Sequence, residues 1–269
     1  MDQQQIDRLT TLGHAGRMAL YRLLVRRYPD FVASGELADV LEVRPNTMSV
    51  YLGALSRAGL ITQKRDGRSL LYRFDPDGAD SLVSYLYDDC CRGRPAACAT
   101  PRAFAEAHEK QKVLFLCTGN SARSIMAEVI LRDLAGDQFE VFSAGTRPAV
   151  VLHPATLQLL EDKGHDVSGL QPKHMSDLEG EAFDFVFTVC DMAANEDCPV
   201  WPGQPVTAHW GVPDPAHATG SDAEKGLAFQ TLYGEMHRRL TLFAALDTKL
   251  LDRFSLQNQI DEIPMTGEK

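Results

Sequence analysis

Val113-Leu114-Phe115-Leu116 followed by Cys117-Thr118-Gly119-Asn120-Ser121-Ala122-Arg123-Ser124 is the stretch on which the fold of this chain turns. A short apolar run ending at a cysteine reads as a buried strand of a parallel sheet. Ile125 to Leu134 then carries a helical pattern, so the segment from Cys117 lies where a strand gives way to a helix. Backbone N–H groups converging at a helix start favour a tetrahedral oxyanion. Gly119 permits the tight turn. Arg123 adds a planar, permanently charged fork. The same positive surroundings are expected to lower the pKa of Cys117 and make it a ready thiolate. Thr118, Gly119, Asn120, Ser121, Ala122, Arg123 and Ser124 are thus the candidate oxyanion-binding residues, and Cys117 and Arg123 candidate catalytic ones.

Beyond this junction, strand and helix patterns alternate: Phe139–Ser143, Pro154–Lys163, Phe185–Val189 and Asp222–Leu250. This predicts an α/β domain over residues 112–252, with a parallel sheet covered by helices and a Cys-x5-Arg loop of the phosphate-binding type. Cys190 ends an apolar strand, and Cys198 follows after seven residues. Asp214-Pro215, taken alone, reads as a turn pair. Residues 253–269 form a polar tail, of which Ser255 to Lys269 is expected to be disordered.

The preceding half reads differently. Ala15 to Tyr28 is a helix pattern ending before Pro29. Ser34 suits the cap of a short helix reaching Leu41, and Pro45 the first position of another that closes near Gly59. Leu60–Arg65 and Ser69–Phe74 flank Asp66-Gly67-Arg68 as a hairpin. Two short helices, a tight turn and a hairpin predict a mainly α winged helix-turn-helix over residues 1–98, with 99–111 as linker. Asn46, Thr47, Ser49 and Tyr51 are placed to face base edges. Lys64, Arg65, Arg68 and Arg73 suit phosphate contacts.

Cys90, Cys91 and Cys98 fall on a Gly/Pro-containing segment after this unit. Adjacent cysteines in a reducing compartment are poor candidates for a structural disulfide. Three soft thiolates without a fourth ligand fit a soft ion such as trivalent arsenic, which prefers three sulfurs in a pyramid.

The 269 residues have room for two domains. Residues 1–100 hold 13 Lys/Arg and 12 Asp/Glu, against 14 and 25 in the remainder, so any nucleic-acid contact must use a local basic patch of the first half. No apolar run is long enough to span a bilayer, and the first residues lack the features of a signal peptide. A cytoplasmic protein without membrane contact is expected.

Leu12-Gly13-His14 to Leu24, Pro45 to Leu52 and Ala58-Gly59-Leu60-Ile61 resemble the ArsR-type winged-helix repressors over about residues 5–98. The resemblance implies a homodimer, formed through this domain, that binds operator DNA and releases it when arsenite binds as inducer at Cys90, Cys91 and Cys98. Tyr51 and Gly53 depart from the family, and no Lys or Arg lies between Pro45 and Ser56. Residues 112–252 resemble the low-molecular-weight tyrosine phosphatase fold, in its thioredoxin-coupled arsenate reductase branch. The matching segments are Cys117–Ser124, Ser143-Ala144-Gly145-Thr146, His174-Met175-Ser176-Asp177 and His209-Trp210-Gly211-Val212-Pro213-Asp214-Pro215. This implies arsenate as substrate, thioredoxin or glutaredoxin as reductant, and no tightly bound catalytic cofactor. It also implies a relay in which Asp214 is the acid, Cys117 the nucleophile, Cys190 the resolving thiol and Cys198 the outward carrier. Asn120, Glu128, Ser143 and Asp177 match positions that hold potassium in some members. Ala122 stands where a cysteine is common, at a position pointing away from the chemistry.

Two other function classes fit the same residues. One is a tyrosine phosphatase fused to a regulator, which needs neither Cys190 nor Cys198. The other is a regulator whose C-terminal domain only senses oxyanion or redox state.

Overall fold

The computed structural model describes residues 2–91, 110–196, 201–249, 251 and 253–267, without the side chains of Phe254 and Gly267. The chain divides into two units, residues 1–102 and 103–269.

The first unit runs α1 (Gln3–Leu12), α2 (Ala15–Arg26), β1 (Val32–Ala33), α3 (Ser34–Val40), α4 (Pro45–Arg57), β2 (Ile61–Asp66), β3 (Ser69–Phe74) and α5 (Pro76–Ser84), continued by a wide helical turn over Tyr85–Cys90. Pro45 opens α4, where its missing N–H costs nothing. Met48, Leu52 and Leu55 recur at helical spacing and are buried against Leu20, Leu23, Leu24 and Leu37. β2 and β3 pair antiparallel from Ile61↔Phe74 to Asp66↔Ser69, which leaves Gly67-Arg68 as the turn. β1 adds a third strand beside β3.

Two features depart from the expected pattern. Ser34 is the first residue of α3 rather than its cap, and Ala33 precedes it without a side-chain bond. α1 was not expected, because its inward side chains are polar. Buried Arg8 donates from Nε to Ala58 O at 3.0 Å and from a terminal nitrogen to Gln5 Oε1 at 3.0 Å, and Gln5 Nε2 donates to Ser81 Oγ at 2.9 Å. A polar helix buries stably when its polar groups are all bonded.

The second unit runs β4 (Gln111–Cys117), α6 (Arg123–Ala135), β5 (Phe139–Gly145), α7 (Pro154–Asp162), β6 (Phe185–Thr188), α8 (Asp191–Asn195), β7 (Val206–His209), α9 (Asp222–Ala244) and α10 (Arg253–Glu262). Its sheet has the order β5-β4-β6-β7, all parallel. Side chains alternate along β4. Val113, Phe115 and Cys117 join the large core containing residues of α6 and α9, while Leu114 and Leu116 join Phe183, Val186 and Trp201 in a smaller cluster. The chain passes from β4 to β5 on one side and returns to β6 on the other. The C-terminal end of β4 is therefore a topological switch point, where sheets of this kind open a crevice. Cys117 occupies that end.

The expected disordered tail is instead ordered between Arg253 and Gly267. Leu256, Ile260 and Ile263, spaced as one face of a helix, are buried in the main core. Ile260 O accepts from Trp210 Nε1 at 3.2 Å, and Gln257 Nε2 donates to Thr207 O at 2.8 Å. The tail thus braces Trp210, in the loop leading to Asp214. No helix among the described residues is long and apolar enough to cross a membrane.

Candidate active site

The loop from Cys117 to Ala122 is held by its carbonyls. Those of Cys117, Thr118, Gly119 and Ser121 accept from the N–H groups of Thr146, Arg147, Ala149 and His153 at 3.1, 2.9, 2.8 and 3.1 Å. With those carbonyls drawn to the segment after β5, Asn120 N–H donates to Cys117 Sγ at 3.1 Å. Gly145 permits this approach, since a Cβ there would lie 2.6 Å from Thr118 O.

Cys117 Sγ is buried and lies 2.9 Å from Ser124 Oγ. Asn120 Nδ2 donates to Ser124 Oγ at 2.9 Å, so the hydroxyl proton is available to the sulfur. Burial pushes the Cys117 thiol above its ordinary range; the Ser124 hydroxyl pulls it back, and nearby Cys190 adds to the rise. The direction is thus the reverse of the expected lowering. An Arg123 guanidinium nitrogen lies 2.6 Å from Asp214 Oδ2. Asp214 Oδ1 also accepts from Ala216 N–H at 3.0 Å. Sequence separates these two residues by some ninety positions. The structure brings the candidate acid to the mouth of the cradle through the Trp210 anchor and through Arg239, which donates to Gly211 O at 3.3 Å.

Cys190 is buried at the start of α8, with Sγ 3.4 Å from Thr118 Oγ1. Thr118, expected only as an oxyanion-binding residue, therefore also meets the Cys190 thiol. His209 is buried, and its ring joins residues on either side of Cys190. Its Nδ1 lies 2.9 Å from Thr188 Oγ1, and its Nε2 lies 3.2 Å from Asp191 Oδ1. Ala122 is buried in the main core. Cys198 lies outside the described residues.

Of the four residues matched to a potassium site, Asn120, Glu128 and Ser143 meet and Asp177 does not. Asp177 is exposed and accepts from His174 N–H at 3.1 Å, capping a one-turn helix over Met175–Leu178. Glu128 Oε2 instead receives Lys173 Nζ at 3.1 Å, together with the Ser143 hydroxyl. The remaining oxygen set therefore does not fit a bound metal ion, because its carboxylate already faces an ammonium and its fourth member is elsewhere.

In the first unit, Asn46, Thr47 and Ser49 are exposed on α4, and Ser49 Oγ bonds back to Pro45 O at 3.0 Å. Tyr51 is half-buried. Its ring packs on His14 with centroids 5.2 Å apart and occupies the space where a Cβ on Gly16 would stand. Val50, 64% exposed, presents on the outer side of α4 instead. Arg65 and Arg68 are exposed on the hairpin, whereas Lys64 and Arg73 lie over the Phe31 ring at 4.2 and 4.5 Å. Cys90 is exposed with a free thiol. Cys91 is disulfide-bonded, contrary to expectation, and must be reduced before it can ligate anything. Cys98 lies outside the described residues, as does the expected linker from 99 to 109.

These features define a two-part protein, a helix-turn-helix unit joined to an α/β unit with a buried cysteine at a strand–helix junction. Residues 112–253 match the low molecular weight phosphotyrosine protein phosphatase family, and residues 12–64 match a helix-turn-helix domain. The arsenate reductase of Bacillus subtilis is 39% identical over 137 residues, covering 51% of this chain and 96% of that protein. That of Halalkalibacterium halodurans is 36% identical over 135 residues, covering 50% and 96%. Among solved structures, arsenate reductase from Archaeoglobus fulgidus is similar with a TM-score of 0.41 and 25% identity, over 50% of this chain and 99% of that one. The chain belongs to the low molecular weight phosphotyrosine protein phosphatase family through its C-terminal half, as a helix-turn-helix domain fused to a homologue of arsenate reductases.

Proposed function

We propose that the C-terminal unit reduces arsenate to arsenite by a relay of three thiols, and that the N-terminal unit is a repressor released from DNA by arsenite. The observation that carries the reductase reading is the proximity of two buried cysteines: Cys190 Sγ lies 3.4 Å from the hydroxyl of Thr118, the residue that follows Cys117, and is near enough to push the Cys117 thiol up. A phosphatase has no use for the second thiol.

In this reading arsenate enters the cradle and takes the Arg123 guanidinium from Asp214. Cys117 sulfur bonds to arsenic, and one oxygen departs as water with a proton from Asp214. Cys190 sulfur then attacks Cys117 sulfur. The sulfur–arsenic bond breaks with its electron pair left on arsenic, so As(V) becomes As(III) and a Cys117–Cys190 disulfide forms. Cys198 attacks Cys190, frees Cys117, and presents a Cys190–Cys198 disulfide to a reduced thioredoxin. All electrons come from thiols, and no bound cofactor is required. Oxidation of NADPH in the presence of thioredoxin and thioredoxin reductase should depend on arsenate. Arsenate-independent oxidation, or turnover of a phosphate monoester in its place, removes the reading. A glutaredoxin system that sustains the reaction where thioredoxin does not reassigns the reductant.

For the first unit, the exposed face of α4 and the Arg65/Arg68 hairpin support DNA contact as a dimer, and reduced Cys90, Cys91 and Cys98 supply three sulfurs for arsenite. The ligand shifts binding only by preferring the released form. Operator affinity at fixed salt should fall by at least about tenfold with arsenite in the parent and in Cys117→Ser. The triple variant Cys90→Ser/Cys91→Ser/Cys98→Ser should not respond. Release of the triple variant by arsenite excludes these thiols as the sensor.

A further inference from the structure

We infer that Lys173 is a built-in cation: its ammonium does at Glu128 what a bound monovalent metal ion would do, and through Asn120 it sets the hydrogen bonds on Cys117. The inference rests on the reading of Cys117 as the nucleophile, not on arsenate as its substrate.

Lys173 touches the cradle network by three groups. Its N–H donates to Asn120 Oδ1 at 2.7 Å, its carbonyl accepts from Gly145 N–H at 2.8 Å, and its Nζ lies 3.1 Å from Glu128 Oε2. Glu128 is buried, and a buried carboxylate requires a countercharge. Because that carboxylate only accepts, every later bond has one direction. Ser143 donates its hydroxyl proton to Glu128 and so accepts from Asn120 Nδ2 at 2.8 Å. The second proton of Asn120 Nδ2 goes to Ser124 Oγ, which leaves the Ser124 proton for Cys117 Sγ. Asn120 sits meanwhile at φ +43°, in the left-handed region that asparagine adopts more readily than most residues. The charge at Glu128 therefore orders the chain that ends on the sulfur. An ammonium tethered by the backbone supplies that charge without dependence on the ions in solution.

The test compares the full-length parent, Lys173→Gln and Lys173→Gln/Glu128→Gln at equal ionic strength in potassium chloride or tetramethylammonium chloride, the latter cation being too large for the site. Melting temperature and the rate of Cys117 alkylation by iodoacetamide, resolved by peptide mass, are both read. Neither requires arsenate, so they can fail or succeed independently of the reductase reading. The parent should be identical in the two salts. Lys173→Gln should melt about 5–10 °C lower in tetramethylammonium with an altered alkylation rate, and potassium should restore both. The double variant, which has no buried charge, should fold and ignore potassium. A parent that responds to potassium overturns the inference. So does a Lys173→Gln that matches the parent in tetramethylammonium, one that is impaired but not restored by potassium, or a double variant that still responds.

Discussion

Cys117→Ser is expected to abolish arsenate turnover while the unit stays folded. Serine fits the same space, and its hydroxyl can keep the contacts with Ser124 and Asn120 N–H, so the cradle survives the change. What is lost is chemistry. A hydroxyl is a far weaker nucleophile than a thiolate, and oxygen cannot enter the disulfide that closes the cycle. Removing a nucleophile that works as a unit with its partners costs on the order of 10⁶ in rate, which puts the variant at the background of an arsenate-dependent NADPH assay. The parent has its own signature. Burial raises the Cys117 thiol above its ordinary range. Only the ionised form attacks, so kcat/KM should rise with pH until that thiol ionises. Turnover of Cys117→Ser near the parental rate, or a parental kcat/KM that falls with pH over the neutral range, takes the nucleophile away from Cys117.

Much of this arrangement is legible in the sequence where one local rule decides it. Pro45, the Gly59 stop and Asp66-Gly67-Arg68 mark α4 and the hairpin because each acts on its own few residues. The apolar run into Cys117, with an arginine six positions on, marks the strand–helix junction for the same reason. Legibility ends where packing overrides local character. α1 reads as polar because its buried face is Gln5 and Arg8, whose hydrogen-bond partners come from Ala58 and Ser81. α10 was available as Leu256, Ile260 and Ile263 at helical spacing, but lay in a stretch too polar overall to suggest burial. β7 is four residues long and is fixed by pairing with β6 rather than by its own pattern. The site shows the same limit. A Cys-x5-Arg motif announces the cradle, but nothing local shows that Arg123 meets Asp214 or that Lys173 meets Glu128. Those pairs depend on where loops after different strands converge at one end of the sheet. For the same reason nothing local shows that the Tyr51 ring packs against His14.

Cys190→Ser is expected to stop the reaction before arsenite leaves, and Cys198→Ser one step after. The distinction follows from what each sulfur must do. Cys190 is buried beside Thr118, within reach of the cradle and out of contact with solvent. It is therefore suited to attack the Cys117 sulfur, while the resulting disulfide is poorly placed for an external protein. With serine at 190 no disulfide forms, the arsenic stays on Cys117, and the arsenite found after quenching should be well under one per chain. With serine at 198 the first disulfide still forms and one arsenite is released. That disulfide then has no internal thiol to carry it outward, so a burst of about one arsenite per chain is followed by a stall. Quenched-flow arsenite yield and the mass of the trapped species, an arsenic adduct in one variant and an internal Cys117–Cys190 disulfide in the other, separate the two cases. A burst of one arsenite from Cys190→Ser would mean that another thiol resolves the adduct. Sustained thioredoxin-driven turnover by Cys198→Ser would mean that thioredoxin reaches the buried disulfide directly, and the third thiol would have no place in the cycle.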